Sequence, residues 1–247
     1  IWAEVRTVVV GEVQSRKQLN GETQVHTRHL SYFSRKMSAQ EFQRQALVEI
    51  QRRGVERAQA VAAVMDGADW EQGFVDFHCP QAIRILDFAH AVQHLNAIGQ
   101  FLHGEHTPES QTWLKDQAHR LKQEGPDPLL QELIELQHQQ PQAEILSSNL
   151  AYLKKRREQM QYPHFQALGW PIGIGAVESG NKLVVQARLK GSGMHWAEVH
   201  VNSMLAIRNI LCSGRWREEW PCIESKLRRL AKQRQRQRYR SHHPLPP

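Results

Sequence analysis

Two short, mostly apolar runs, each followed at once by an aspartate, constrain this chain most strongly. Val61–Met65 precedes Asp66, and Ile83–Leu86 precedes Asp87. Such runs predict buried strands, and the segment 69–78 between them predicts a connecting helix. Ligands gather at the carboxyl ends of strands in α/β sheets, so we expect both carboxylates at a functional edge. Helix N-capping is the alternative role for either aspartate, because Asp is a preferred cap residue.

The residues around these two runs complete an α/β pattern. Segments 2–13 and 23–33 alternate apolar and polar residues on either side of a polar loop, which predicts a hairpin. Ser38 and Glu41 form a capping-box pattern at the start of a helix, and a further helix is predicted from about Ala89 to Leu102. The order β-β-α-β-α-β-α predicts an α/β fold with a mixed sheet.

The second half of the chain has a different composition. Segment 104–162 is rich in Gln, Glu, Leu and Lys, with apolar residues at helical spacing, which predicts an all-helical insertion of about three helices. A Gly/Pro-rich segment then leads to predicted helices at about 177–189 and 197–211. The predicted organisation is a first part of the core at 1–103, the insertion at 104–165, the last part of the core at 166–222, and a basic, disordered tail at 223–247.

Glu178 is a third candidate carboxylate. It follows Gly173 and Gly175 and opens a predicted helix beside small polar residues. The alternative is that it only complements the helix dipole. Hard divalent ions such as Mg²⁺ take oxygen ligands from several elements, and two ions about 4 Å apart suit phosphodiester chemistry. The spacing allows this chemistry without proving it.

Other active-site types have less support. His90 and His94 lie one helical turn apart, but no third ligand completes a zinc set. Asp87 and His90 form a better unit, because a strand-end Asp and a first-turn His face the same edge. The chain has no GxSxG elbow and no GxxxxGK[ST] phosphate loop.

Positive charge is concentrated near the carboxyl end. The formal charge is +7, yet segment 226–240 holds eight basic residues and no acid, which leaves −1 for the rest. Such a tail suits DNA phosphates, with Arg228, Arg229 and Lys232 as candidate contacts; a solvated terminus without a partner is the alternative. No run approaches the roughly 18 apolar residues of a membrane helix, and the first residues do not form a signal peptide. Three widely spaced cysteines favour a reducing cytoplasm.

Six segments, in this order, carry a family resemblance: MDGADW, ILDFAHAVQHL, GWPIGIGAVESGNKLVV, ARLKGSGMHWA, MLAIRN and SGRW…EW. Each is weak alone, but together they resemble the insertion-sequence transposases of the ISKra group, which are similar to the wider Mutator-related DDE transposases. The resemblance extends from the first strand to about Trp220.

The resemblance implies an RNase H-like fold, a mixed sheet flanked by helices and interrupted by a helical insertion. It implies DNA strand cleavage and strand transfer by two Asp and one Glu that hold two Mg²⁺ or Mn²⁺ ions. Asp66 matches the second Asp, and Glu178 matches the Glu. Asp87 and His90 match an Asp-x-x-His motif that supports the site and contacts DNA. Phosphate contacts are expected from Lys182, Arg188 and Lys190.

One departure from the family pattern concerns the first Asp. The family carries it on the strand before the one with which this chain begins, whereas the first Asp here is Asp66. We therefore expect either a fragment of a transposase or a truncated, inactive remnant that only binds DNA; an unrelated nuclease of the same fold is a third possibility. The expected partner is double-stranded DNA at element ends and target, bound by a homo-oligomer in the prokaryotic nucleoid, with no membrane.

Overall fold

The computed structural model describes residues 4–17 and 23–242. They divide into a large unit, residues 10–17, 23–30 and 38–179, and a small unit, residues 4–9, 31–37 and 180–242. The predicted boundaries after residues 103 and 165 both fall inside the large unit.

The amino-terminal hairpin is present. Strands β1 (Arg6–Lys17) and β2 (Thr23–Arg35) pair as an antiparallel sheet; residues 18–22 of the predicted loop lie outside the described residues. Helix α1 (Ala39–Arg52) begins at the predicted cap, where the amide of Glu41 donates to Ser38 Oγ at 3.3 Å. Gly54 follows this helix with a φ of 65°, a left-handed conformation that favours glycine.

The two apolar runs form the predicted strands. Strand β3 (Ala62–Met65), helix α2 (Asp69–His78), strand β4 (Ile83–Leu86) and helix α3 (Phe88–His103) follow in order. The strands are parallel, and Met65 lies opposite Leu86. The mixed α/β class and the element order are confirmed.

The predicted single mixed sheet is not confirmed. In the described chain, β1 pairs only with β2 and β3 only with β4, which makes two separate two-stranded sheets. The strands β3 and β4 are only four residues long, and the apolar side chains of β4 are covered by helices. The apolar side chains of β4 are therefore buried without a third strand in this sheet.

Three helices occupy the predicted insertion: α4 (Pro108–Glu124), α5 (Pro126–Gln139) and α6 (Glu144–Lys155). A 3₁₀ turn (Arg157–Met160) and helix α7 (Tyr162–Ala167) follow. These helices have no core of their own, because their leucines pack against β4 and α3. The shared core comprises Ile85, Leu86, Ala91, Leu95, Ile98, Leu121, Leu129, Leu133, Leu146, Leu150, Leu153 and Phe165, among others. The segment is thus an integral layer of the large unit.

The predicted helix at 177–189 is irregular. It consists of α8 (Gly175–Gly180), a π-helical segment (Asn181–Gln186) and α9 (Ala187–Leu189). A pattern with a period of 3.6 does not reveal a π-helical segment, which widens the turn by one residue.

Helix α10 (Glu198–Cys212) is joined to β2 within the small unit. The backbone amide and carbonyl of Ser34 both bond the side-chain amide of Asn209, each at 3.2 Å. Asn202 bonds the backbone of Lys36 in the same two-way manner, at 2.8 and 2.9 Å. Two asparagines two helical turns apart thus bond backbone groups at the carboxyl end of β2.

The basic tail is helical where it is described, contrary to the predicted disorder. Helix α11 runs from Trp216 to His242, and residues 243–247 lie outside the described residues. The tail is too polar to build a core, but arginine, glutamine and lysine are strong helix formers. An ion pair one turn apart, Glu224 with Arg228 at 2.7 Å, adds support. Among the described helices, none has the length and apolar character needed to cross a membrane.

The shared core generates a stability prediction. We expect Leu150→Ala to lower the free energy of unfolding by about 2–5 kcal/mol, because this fully buried side chain would leave a cavity. The matched control is Ile145→Ala on the same helix, where the side chain is 47% exposed and the loss stays below about 1 kcal/mol. Urea unfolding measures both, and equal losses would contradict a core shared by α6 and β4.

Candidate functional site

The carboxyl ends of β3 and β4 bring Asp66 and Asp87 to one edge. Each follows the last residue of a strand, and these last residues, Met65 and Leu86, are opposite one another. The amide of Asp87 also donates to the carbonyl of Met65 at 2.8 Å. The predicted juxtaposition of the two aspartates is therefore present.

Asp87 uses both carboxylate oxygens to bind backbone amides. Its Oδ2 accepts from the amide of His90 at 2.9 Å, which caps α3, and its Oδ1 accepts from the amide of Ile174 at 3.0 Å. The amide of Phe88 donates to the carbonyl of Ile172 at 2.9 Å. The capping role is confirmed for Asp87, and the buried carboxylate also fastens the segment that leads to Glu178 to the end of β4.

Tyr162 secures the same strand end. Its hydroxyl donates to the carbonyl of Leu86 at 3.1 Å, and its ring packs edge-on against Phe88. Burial, with a smaller contribution from the negative charge of Asp87, raises the pKa of the Tyr162 hydroxyl above its ordinary value. The phenol therefore stays neutral and keeps its proton for this hydrogen bond.

The turn after β3 is held by helix α6. Asp66 Oδ1 accepts from the amide of Ala68 at 3.0 Å, and its carbonyl accepts from the Tyr152 hydroxyl at 2.8 Å. Arg156, only 3% exposed, donates to the carbonyl of Gly67 from Nε at 3.2 Å and from Nη2. This guanidinium also pairs with Asp69 at 3.2 Å. The helical insertion therefore positions the backbone that carries Asp66.

Glu71, which the sequence patterns do not single out, lies beside Asp66. Its Oε2 accepts from the amide of Gly67 at 3.1 Å, and its carboxyl shares a hydrogen bond with Asp66. Burial, followed by the hydrogen bond and the charge of Asp66, raises the pKa of Glu71 to about 8. Glu71 therefore carries a proton at neutral pH, hydrogen-bonded to the side chain of Asp66.

His90 and His94 belong to a cluster of rings at this edge. The His94 ring stacks on Tyr152 with centroids 3.9 Å apart, and the His90 ring lies 5.3 Å from that of His94. His94 Nδ1 lies 2.7 Å from Asn149 Oδ1, whose amide nitrogen donates to the carbonyl of Ile145. Nδ1 is therefore the donor. Burial is the main cause that lowers the pKa of His94, so this ring is neutral at pH 7.

Glu178 lies in the first turn of α8, and its side chain is exposed. Its amide donates to the carbonyl of Ile174 at 3.0 Å, so the residue that Asp87 binds also starts the helix of Glu178. Over residues 4–17 and 23–242, no three His, Cys, Asp or Glu side chains form a group that could hold a metal ion. Asp66, Glu71 and Glu178 therefore do not form one such group, and neither do His90 and His94 with a third ligand.

Asp66 and Glu71 would offer two adjoining carboxyl groups as oxygen ligands to one divalent ion. Mg²⁺ commonly binds through one or two carboxylates and completes its shell with waters and substrate phosphates. Here two carboxyl groups adjoin, and burial together with the neighbouring Asp66 raises the pKa of one of them, Glu71. A cation held by both carboxyl groups would displace the proton of Glu71, since metal binding and deprotonation of ligands are coupled.

The predicted phosphate contacts all lie in the small unit. Lys182 is in the π-helical segment, Arg188 is in α9 and Lys190 follows it, and all three residues are exposed. On α11, a shallow depression is lined by Pro221, Glu224, Ser225, Arg228, Arg229 and Lys232. The exposed basic side chains suit contacts with an extended polyanion.

Four residues of the site escape sequence reasoning: Glu71, Asn149, Tyr152 and Arg156. Asn149, Tyr152 and Arg156 reach the site across more than fifty residues of chain, in a segment whose polar residues resemble solvated helix faces. Only Glu71 had a local signal, because it lies in the first turn of the helix that follows Asp66.

No family model, curated protein or solved structure matches this chain.

Gly67 should tolerate no side chain. Its φ is 88°, and an added Cβ would lie 2.3 Å from the Tyr152 hydroxyl and 2.8 Å from Leu86 Cδ1. We expect Gly67→Ala to destabilise the protein by about 2 kcal/mol or more. Gly73→Ala in α2 is the control: no atom lies within 4 Å of the new methyl, and alanine favours the helix by about 1 kcal/mol. Thermal unfolding of both variants tests this, and a neutral Gly67→Ala would contradict the packed turn.

The raised pKa of Glu71 predicts a pH dependence of stability. Between its ordinary value of 4.5 and about 8, the folded protein keeps a proton that the unfolded chain releases. Stability from this group therefore falls as pH rises through that window. Glutamine mimics the protonated acid, so Glu71→Gln should be more stable than the parent at pH 8 by about 1 kcal/mol or more, and nearly equal at pH 4.5. Denaturant unfolding in EDTA at both pH values measures the difference; a constant gap would contradict it.

Proposed function

We propose that this chain is the catalytic core of a DDE-type DNA transposase of the insertion-sequence class, which cleaves DNA at element ends and joins the freed 3′ end to a target. One observation carries the proposal: Asp66, Asp87 and the approach to Glu178 meet at the carboxyl ends of two parallel strands. This edge is where α/β folds place catalytic groups. The RNase H-like fold, the homo-oligomer on DNA and the nucleoid location belong to the same proposal.

Asp66 and Glu71 are the side chains that would hold a divalent ion, with Glu178 as the further carboxylate that the resemblance implies. Mg²⁺ or Mn²⁺ bound there would activate the oxygen that attacks a phosphodiester and stabilise the oxygen that leaves. Glu71 would release its proton to solvent as it becomes a ligand of the ion. Arg156 and Tyr152 keep the turn of Asp66 fixed, so the carboxylate does not have to be reoriented.

Asp87 acts as a positioning residue in this proposal. Both of its oxygens bind backbone amides, so it fixes the glycine-rich segment from which Glu178 follows. His90 lies in the first turn of the helix that Asp87 caps, and its ring can donate a hydrogen bond to a phosphate oxygen. The neutral His94 ring, stacked on Tyr152, packs beside it.

Double-stranded DNA is the proposed partner. Lys182, Arg188 and Lys190 on one segment, and the basic residues of α11 on another, supply charge for phosphates without base recognition. Binding through these residues should weaken steeply as salt concentration rises.

The test substitutes the proposed ligands and measures DNA cleavage. We expect Asp66→Asn and Glu178→Gln to reduce Mn²⁺-dependent cleavage of a DNA fragment that carries the gene and its flanking sequences by about 10³-fold or more. DNA binding should be retained. Asp76→Asn is the control, because it removes the same charge as Asp66→Asn at a carboxylate outside the proposed site. Asp76 is exposed on α2 and pairs with Arg84.

Each outcome decides between functions. Retained cleavage in Asp66→Asn or Glu178→Gln contradicts the assignment. Hydrolysis without joining of a 3′ end supports a nuclease instead, and DNA binding without cleavage by the parent protein supports an inactive remnant. Calorimetric titration with Mn²⁺ separates the ligand role from catalysis, since Asp66→Asn and Glu71→Gln should weaken binding even where no cleavage occurs.

A further inference from the structure

Helix α11 carries an apolar seam that its own unit leaves largely open. The seam consists of Trp216, Trp220, Ile223, Leu227 and Leu230, spaced alternately by four and three residues. Trp220, Leu227 and Leu230 are 40%, 55% and 40% exposed, and Trp216 and Ile223 are half-buried. Trp216 and Trp220 stack with ring centroids 4.8 Å apart, which fixes the first turn of the seam. Alternate spacing of four and three is the pattern of a coiled-coil seam.

The seam and the basic residues occupy different faces of α11. With Trp220 and Leu227 at heptad position a, and Ile223 and Leu230 at position d, the residues Arg228, Arg229 and Lys232 fall at b, c and f. They line the shallow depression on the outer side of the helix. Further along, position a is taken by Arg234, so the apolar seam ends at Leu230. Contact with a partner through the seam would leave the basic face free.

Charges beside the seam select a second copy of the same helix in antiparallel orientation. In an antiparallel pair, the g positions of one helix face the g positions of the other, and the e positions face the e positions. When Trp216 packs on Leu227 of the second copy and Trp220 packs on its Ile223, Glu219 meets Lys226 of that copy. In the same register Arg217 meets Glu224 of that copy. Two-fold symmetry repeats both, which gives four pairs of opposite charge.

A parallel pair does not have this complementarity. There, Glu219 at g would meet Glu224 of the second copy at e, and the like charges repel. Lys226 would meet the uncharged Ala231. The antiparallel register is therefore the one that satisfies both the apolar residues and the charges.

We infer that the α11 seam binds the same seam of a second copy of this chain, in antiparallel orientation, to form a two-fold homodimer. The interface is short, and Pro221 interrupts the backbone hydrogen bonding of the helix near its start, at position b away from the seam. Because the seam has only five apolar side chains, we expect the dimer to form and dissociate with concentration. Self-association of this kind does not depend on the chemistry proposed above.

Charge reversal on the full chain tests both the interface and its orientation. We expect Lys226→Glu to weaken dimerisation about tenfold or more, because it replaces two attractive pairs by two repulsive ones. The double variant Glu219→Lys with Lys226→Glu should restore the dimer, because the exchanged charges again pair. Lys232→Glu, with the same change of charge at outward position f, is the matched control and should leave dimerisation unchanged. Sedimentation equilibrium over about 1–300 µM measures the dissociation constants.

A second pair of variants tests the apolar contact. Leu227→Gln removes a seam side chain and should yield a monomer, whereas Tyr239→Gln removes an exposed side chain at position f and should not. Circular dichroism confirms that both variants remain helical. A parent protein that is monomeric throughout the range overturns the inference. So does an equal effect of Lys226→Glu and Lys232→Glu, or a double variant that stays as weak as Lys226→Glu.

Discussion

The buried carboxylate of Asp87 is the interaction on which the proposed site depends. It joins three elements by two hydrogen bonds, since it follows β4, caps α3 and binds the amide of Ile174. A carboxylate that is 4% exposed is costly to bury unless its oxygens are satisfied, and here backbone amides satisfy both. The glycine-rich segment can therefore approach the strand end only in the arrangement that offers its amide to Asp87.

A second, independent set of bonds fixes the neighbouring strand end. The carbonyls of Asp66 and Gly67 point toward helix α6 and accept bonds from Tyr152 and Arg156. The two strand ends are thus held from different directions, one by the segment before α8 and the other by α6. This explains why the helices at 108–155 share the core of β4: they provide the supports of the Asp66 turn as well as its hydrophobic cover.

Sequence patterns predicted the features that depend on residues close together in the chain. The strands β3 and β4, the caps at Ser38 and Asp87, and the helices α4 to α6 all follow from apolar periodicity and cap chemistry within a few residues. The protonated Glu71 and the buried Arg156 were not predicted, because each acquires its role from a partner brought near by folding. The two separate sheets and the helix of the basic tail were not predicted, because strand pairing is non-local and because a polar composition describes solvation better than it describes helix formation.

The supports of the Asp66 turn also determine when that turn can form during synthesis. Tyr152 and Arg156 lie 86 and 89 positions after the carbonyls that they bind. At about 5–20 residues per second, a ribosome needs about 4–18 s to add that stretch. Throughout this interval the turn lacks both donors, and the apolar residues of β4 lack their covering helices. The nascent chain thus passes through a stage in which the turn of Asp66 is not yet held in place and the apolar residues of β4 are exposed, and this exposure favours aggregation.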